Sequence, residues 1–158
     1  MSLPSVPEDL IVIGGGVIGL EMGSVYARLG TNVTVVEYAD EIVPSLDKEV
    51  AKNFNKILTR QGLKILTSHK VLSGKNHGTY GEVTIEPVKG GEQRVLKASH
   101  ILVSTGRKPH TDKLNCEKAG IKLDERGRVI VNDNLITSAP NIYAIGDCVR
   151  GAMLAHKA

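Results

Sequence analysis

Leu10-Ile11-Val12-Ile13-Gly14-Gly15-Gly16-Val17-Ile18-Gly19-Leu20-Glu21 is the stretch from which the fold can be read. Leu10 to Ile13 is an unbroken run of branched apolar residues, as expected of a strand covered on both faces. Glycines follow at once, and Val17 to Leu29 has the pattern of a helix closed by Gly30. Val33-Thr34-Val35-Val36 is a second apolar strand. Strand, glycine turn, helix and strand in this order make a βαβ unit, right-handed by default.

Gly14-x-Gly16-x-x-Gly19 falls between the first strand and the first helix. The first glycine permits the tight turn, the second lets backbone approach a pyrophosphate, and the third lets helix pack closely on strand. The helix start then offers free N–H groups and a positive dipole end to phosphates. Glycine-rich turns are common, and the spacing alone means little. Here it is joined by Glu37, which ends the second strand eighteen residues past Gly19. A carboxylate there can accept hydrogen bonds from an adenosine ribose diol and repels a 2′-phosphate, which favours NAD over NADP. The competing reading is a glycine hairpin beside a solvated glutamate. Glu21 is expected in the first turn of the helix, where dipole compensation explains it as well as a functional role does.

Downstream, Asp47 can cap a second helix whose apolar stripe is Val50, Phe54, Ile57 and Leu58, ended by Gly62. Leu63 to Thr67 is a third strand. The period then changes. Val71 to Ser73, Glu82 to Glu86 and Arg94 to Lys97, separated by Gly74, Gly78, Gly81, Gly90 and Gly91, form an antiparallel meander. His100 to Ser104 reads as a buried strand rejoining the parallel sheet. Residues 4–106 thus make a complete α/β layer structure with its own core. Residues 107–158 do not: two short strands (Arg128 to Val131, Ile142 to Ile145), turns, and the opening of a helix at Met153 suggest part of another domain's architecture. Met1-Ser2-Leu3 has the look of a cloning tag, which suggests a chain cut from something longer.

Composition narrows the function classes. The chain has 158 residues, 41% hydrophobic and 23% charged, the balance of a soluble globular protein rather than a disordered, collagenous or coiled-coil one. Net charge is +3 with scattered basic residues, and aromatics are limited to one Phe and four Tyr. Neither a nucleic-acid surface nor a polybasic membrane surface is expected, and no apolar run is long enough to span a bilayer. Cys116 and Cys148 lack CxxC spacing and fit a reducing compartment. The five histidines have no metal-ligand spacing and no GxSxG elbow exists, so neither a metal site nor independent catalytic residues are expected.

Ile13 to Val25 closely resembles the pyridine-nucleotide motif of the dihydrolipoamide dehydrogenase family, within the flavin-dependent pyridine nucleotide-disulfide oxidoreductases. Three further segments resemble that family in the same order. These are Val33 to Glu37, Ser104-Thr105-Gly106-Arg107-Lys108-Pro109, and Thr137 to Asp147 continued by Met153-Leu154-Ala155-His156-Lys157-Ala158. The resemblance implies a Rossmann-like NAD-binding domain over 4–106, with parallel sheet and meander, and a partial FAD-binding domain segment over 107–158. It implies that Gly14, Gly15, Gly16, Val17, Ile18, Gly19, Leu20 and Glu21 bind NAD, with Glu21 near the nicotinamide end. Glu37 would hold the adenosine ribose, Val71 would lie beside the adenine, and Gly106 would line the cleft. Asp147 would meet the flavin's ribityl or phosphate region, and Met153, Leu154, Ala155 and His156 would run along the isoalloxazine. Ala152 departs from the proline usual in the family before that run.

The family's first FAD-binding GxGxxG, its CxxxxC redox disulfide and its C-terminal dimerisation domain have no counterpart among these residues. The implied parent enzyme is a homodimer within 2-oxo-acid dehydrogenase complexes, passing electrons from dihydrolipoamide through the disulfide and FAD to NAD+. This chain would supply only the NAD end and lack activity by itself. Alternatives are another flavin oxidoreductase of the superfamily, whose NADP-using members are disfavoured by the acidic Glu37-Tyr38-Ala39-Asp40, or a free-standing NAD-binding module. The family implies a mitochondrial matrix location, with bacterial cytoplasm as the alternative.

Overall fold

The structure, a computed structural model, describes residues 3–151 together with Met153, Leu154 and His156. The chain divides into two compact units, Met1–Gly106 and Arg107–Ala158.

In the first unit, β1 (Asp9–Ile13), α1 (Val17–Arg28) and β2 (Asn32–Val36) form the βαβ unit. There follow α2 (Lys48–Arg60) and β3 (Lys64–Leu66). The meander is β4 (His69–Asn76), β5 (Gly81–Pro87) and β6 (Arg94–Ala98), and β7 (His100–Val103) closes the unit. The parallel sheet has the order β3-β2-β1-β7, and the meander is a separate antiparallel sheet, β4-β5-β6. In register, Leu10 lies opposite Val33 on one side and His100 on the other.

Alternation along β1 divides the core between two faces. Leu10 and Val12 join Leu20, Val33, Val35, Ile42, Ala51, Leu58 and Leu63 on the helical side. Ile11 joins Val36, Val83, Ile85 and Ala98 on the meander side. Each such buried Leu, Ile or Val contributes about 1.5–3 kcal/mol of transfer free energy. A polar residue at any of these β1 positions would break one of the two layers.

Asp47 caps α2 as expected, its Oδ1 accepting from Glu49 N at 2.9 Å and Val50 N at 3.3 Å. The buried face differs from the expected stripe. Ala51 and Leu58 are fully buried and Phe54 packs partly, whereas Val50 and Ile57 are 53% and 49% exposed. Small Ala51 lets the helix sit close to the core, so the inward line runs through positions 51, 54 and 58, about 70° round from Val50. β7 rejoins the sheet but as an edge strand, half-buried rather than buried, with Val103 66% exposed. Gly74, expected in a turn, lies inside β4, where an irregularity between Val71 and Ser73 shifts the register.

The second unit has little regular structure. Its short helical turns are Cys116–Ala119 and Gly146–Cys148, and its pairing consists of isolated bridges such as Val131 with Thr137 and Ile136 with Tyr143. The strands expected over Arg128 to Val131 and Ile142 to Ile145 are therefore not formed as strands. Their backbone donors go to scattered carbonyls, Val129 N to Cys148 O, Ile130 N to Lys122 O and Ala144 N to Leu135 O, and side chains take some others. Asp124 Oδ1 accepts from the N–H groups of Arg126 (2.8 Å) and Arg128 (2.9 Å), and Asn132 Oδ1 from those of Asn134 (3.0 Å) and Ile136 (3.1 Å). Among the described residues, Cys116, Val129, Ala139 and Val149 are its buried ones, together with Thr111 and Thr137. The helix expected from Met153 is not present at Met153 or Leu154, and Ala155 lies outside the described residues.

Candidate functional site

The glycine turn between β1 and α1 is held from three sides. Gly14 N donates to Val36 O of β2 at 2.9 Å, and Val43 N donates to Gly15 O at 2.9 Å. Ser104, just past β7, donates from its backbone N to Ile13 O at 2.8 Å. Gly14 has φ +108°, and a Cβ there would stand 2.5 Å from Ser104 O, so both conformation and space require glycine. A Cβ on Gly19 would run into Gly14 O and come within 2.6 Å of Ser104 Oγ, which makes Gly19 the point of closest helix–strand approach.

Gly16 is different. It is the N-cap of α1 at φ −78°, no side chain caps the helix, and a Cβ placed on it would meet nothing within 4 Å. The first-turn N–H groups of a helix have no intrahelical acceptor. Here they face open space, flanked by Val17 and Ile18, which are 54% and 52% exposed. Leu20 is fully buried and belongs to the core, so its part in any site is packing. Glu21 is exposed and lies beyond the first turn of α1, which carries no acidic residue. Its expected place beside the dipole end is corrected accordingly, since that effect fades within one turn.

Glu37 is fixed at the turn. Its Oε2 accepts from Gly15 N, and its Oε1 accepts from Ala39 N at 2.7 Å. Its backbone ties β3 to the start of β4, with N donating to Leu66 O at 2.9 Å and O accepting from His69 N at 3.0 Å. Each carboxylate oxygen keeps a lone pair for an outside donor. The carboxylate is thus oriented before any ligand arrives. The loop between β2 and α2 is pinned by buried Ile42 and by Val43, whose φ of +42° is rare for a β-branched residue.

Val71 lies on β4 opposite Ile85, half-buried, and lines a cleft of about 650 Å³ together with Ile13, Tyr80, His100 and Val103. Gly106 is exposed with φ +105°. In the second unit, Asp147 is exposed and its carboxylate lies 3.4 Å from an Arg107 guanidinium nitrogen. Arg107, His110, Asp147 and Met153 share a cleft of about 540 Å³. His156 is exposed. No group of three metal-ligating side chains exists among the described residues.

On the meander, Lys97 Nζ and His77 Nε2 each lie 3.0 Å from the Glu82 carboxylate, and His77 stacks on Tyr80 at 4.6 Å. The hydrogen bond from Lys97, then that from His77, holds the Glu82 carboxyl below its ordinary range, and the same bond raises Lys97.

Nothing in the local sequence marks Ala39 N or places Ser104 at the turn. A serine after an apolar strand is a weak hint for Ser104, and nothing marks Val43.

A parallel βαβ core with a glycine turn, an uncapped helix start and an acid ending β2 defines a Rossmann-type α/β fold. The chain belongs to the pyridine nucleotide-disulphide oxidoreductase family, whose sequence profile matches residues 1–158. It is 51% identical over 158 residues to the mitochondrial dihydrolipoyl dehydrogenase 1 of Arabidopsis thaliana, covering 100% of this chain and 31% of that protein. It is 46% identical over 153 residues to the dihydrolipoyl dehydrogenase of Thermus scotoductus, covering 97% of this chain and 33% of the relative. Among solved structures it resembles RclA, an HOCl-induced flavoprotein disulfide reductase of Escherichia coli seen as a Cu(II) complex. That likeness has a TM-score of 0.86 and 34% identity over 99% of this chain and 35% of the other. The chain therefore spans about a third of the length of these proteins. The family uses flavin and a nicotinamide nucleotide.

Proposed function

We propose that this chain is the NAD-binding portion of a dihydrolipoyl dehydrogenase. The observation that carries the reading is the pairing of an uncapped α1 N-terminus over open Gly16 with a Glu37 carboxylate oriented by Gly15 N and Ala39 N. The pyrophosphate sits on the Gly14–Gly19 turn and meets the N–H groups of Val17 and Ile18. Glu37 accepts from the adenosine ribose diol, Val71 borders the adenine, Gly106 borders the cleft, and Glu21 faces the nicotinamide end. Leu20 supports α1 from beneath. When bound, the nicotinamide supplies a hydride acceptor, and these residues bind and orient it.

Asp147, with Met153, Leu154, Ala155 and His156, belongs to the flavin-binding part of the parent enzyme. That enzyme oxidises dihydrolipoamide with NAD+ as final acceptor, as a homodimer in 2-oxo-acid dehydrogenase complexes. Similarity to mitochondrial and bacterial relatives supports the mitochondrial matrix, with bacterial cytoplasm as the alternative.

Calorimetric titration with NADH and NADPH tests the reading. NADH binds, and NADPH binds at least about ten times more weakly, a difference of about 1.4 kcal/mol. Glu37→Ala removes both the ribose acceptor and the repulsion of the 2′-phosphate, so the gap closes from both sides. Equal affinity for the two nucleotides in the wild type sinks the assignment.

A further inference from the structure

We propose that Ser104 is a positioning residue for the dinucleotide, its hydroxyl clamping the carbonyl side of the glycine turn so that the N–H on the opposite edge of the same peptide aims the Glu37 carboxylate at the ligand. The proposal rests on the dinucleotide reading above. Ser104 Oγ lies 3.1 Å from Ile13 O and 3.3 Å from Gly14 O. A hydroxyl has one proton, so these two carbonyls share it. Ile13 O also takes the Ser104 backbone N–H. Gly14 O does not: among the described residues no backbone N–H donates to it, and the hydroxyl is its donor.

The direction of Gly14 O matters to the ligand side. The Gly14–Gly15 peptide places the Gly14 carbonyl and the Gly15 N–H on opposite edges of one plane. That N–H is the one that orients the Glu37 carboxylate. Fixing the carbonyl therefore fixes the donor that aims Glu37. Ser104 Oγ also stands 2.6 Å from where a Cβ on Gly19 would be, so it packs against the start of α1.

The fold contains its own control. Ser99, at the other end of the same edge strand, donates from Oγ to Asp9 O at 2.7 Å. Both serines tie β7 to β1 by a hydroxyl-to-carbonyl bond, but only Ser104 touches the turn. A merely structural role predicts equal consequences for removing either hydroxyl.

The test uses the whole chain as wild type, Ser104→Ala, Ser99→Ala and Ser104→Cys. Calorimetry gives the NADH dissociation constant, and amide spectra of the ligand-free proteins report on Gly15 and Gly16. Expected for Ser104→Ala is an NADH dissociation constant raised about fivefold, close to 1 kcal/mol, with displaced Gly15 and Gly16 amide signals. Ser99→Ala stays within about twofold, with those signals unmoved, although its unfolding midpoint falls as far. Ser104→Cys, a weaker donor in the same place, falls between and serves alone if the alanine variant does not fold. NADH binding indifferent to Ser104, or equally weakened by Ser99→Ala, overturns the inference and leaves the dinucleotide reading standing. A wild-type chain that does not bind NADH overturns both.

Discussion

The two α-helices of the first unit begin in opposite ways. At α2, Asp47 accepts from two first-turn N–H groups, and the helix start is satisfied within the chain. At α1, the N-cap is Gly16, no side chain reaches the N–H groups, and the surrounding space is open. An aspartate cap is worth about 1 kcal/mol over a residue that cannot cap. With glycine as its N-cap, α1 gives up only a few tenths of a kcal/mol of that, at the one helix start that faces the glycine turn and Glu37. The contrast supports the proposed function: an unsatisfied helix end flanked by well-fixed backbone suits a ligand's charge, whereas a satisfied end serves the scaffold.

The comparison can be broken most severely at Gly19. Gly19→Ala drives a methyl into Gly14 O and Ser104 Oγ. The cost is about 3 kcal/mol, at the upper end of overpacking penalties. Urea denaturation should show a large fall in midpoint, with nucleotide binding lost as a consequence of the damaged turn. A wild-type midpoint would show that α1 moves away from β1 freely, contrary to the close approach described.

Gly16→Asp tests the difference itself, because it transplants the α2 device onto α1. Space and φ both accept the side chain. Stability holds or rises by a few tenths of a kcal/mol, since Asp and Gly differ little as caps. NADH binding falls by about a hundredfold or more, because a fixed carboxylate then occupies the place proposed for the phosphates. The converse variant, Asp47→Ala, loses about 1 kcal/mol of stability and leaves NADH affinity unchanged. Thermal unfolding and calorimetry on the pair separate the two roles; a shared phenotype would erase the contrast.

The smallest effect lies on the meander, where charges are again satisfied internally. Glu82 titrates below its ordinary value of 4.5 in the folded chain, chiefly through Lys97 and then His77. A depressed carboxyl stabilises the fold above its unfolded value and ceases to do so as pH falls through the folded one. Glu82→Gln should therefore flatten the acid limb of stability below about pH 5, with no change in nucleotide affinity. Lys97, raised by the same partner, acts in the opposite sense: its contribution holds below 10.5 and disappears as pH rises through the folded value. Unfolding midpoints across the two limbs measure both.

The βαβ core was legible because buried strands and a glycine-closed helix leave periodic marks that local sequence must obey. Asp47 and the meander were legible for the same reason. The face of α2 was not, because Val50 and Ile57 are as apolar as Leu58 and only the closeness permitted by Ala51 selects the inward line. In the second unit, Arg128 to Val131 and Ile142 to Ile145 have strand composition. A strand, however, also needs a partner of matching length, and there the backbone finds only isolated bridges, with Val129 N going to Cys148 O, Ile130 N to Lys122 O and Ala144 N to Leu135 O. At the turn, spacing named the glycines and Glu37. It could not show that Gly15 N and Ala39 N aim the carboxylate, nor that Ser104 and Val43 brace the turn, because those partners meet only through tertiary folding.

Ser104 and Ile13 stand 91 positions apart. During synthesis, the glycine turn, α1 and Glu37 emerge long before the strand that braces them, an interval on the order of ten seconds at ordinary elongation rates. Until the meander is made and β7 docks on the outer edge of β1, the nascent chain has the turn's residues without its clamp. Such distant pairings are also the slow ones in folding. Nucleotide affinity in a series of stalled nascent chains should therefore appear in a single step, once Ser104 has left the exit tunnel, and so serve as a clock for completion of the sheet.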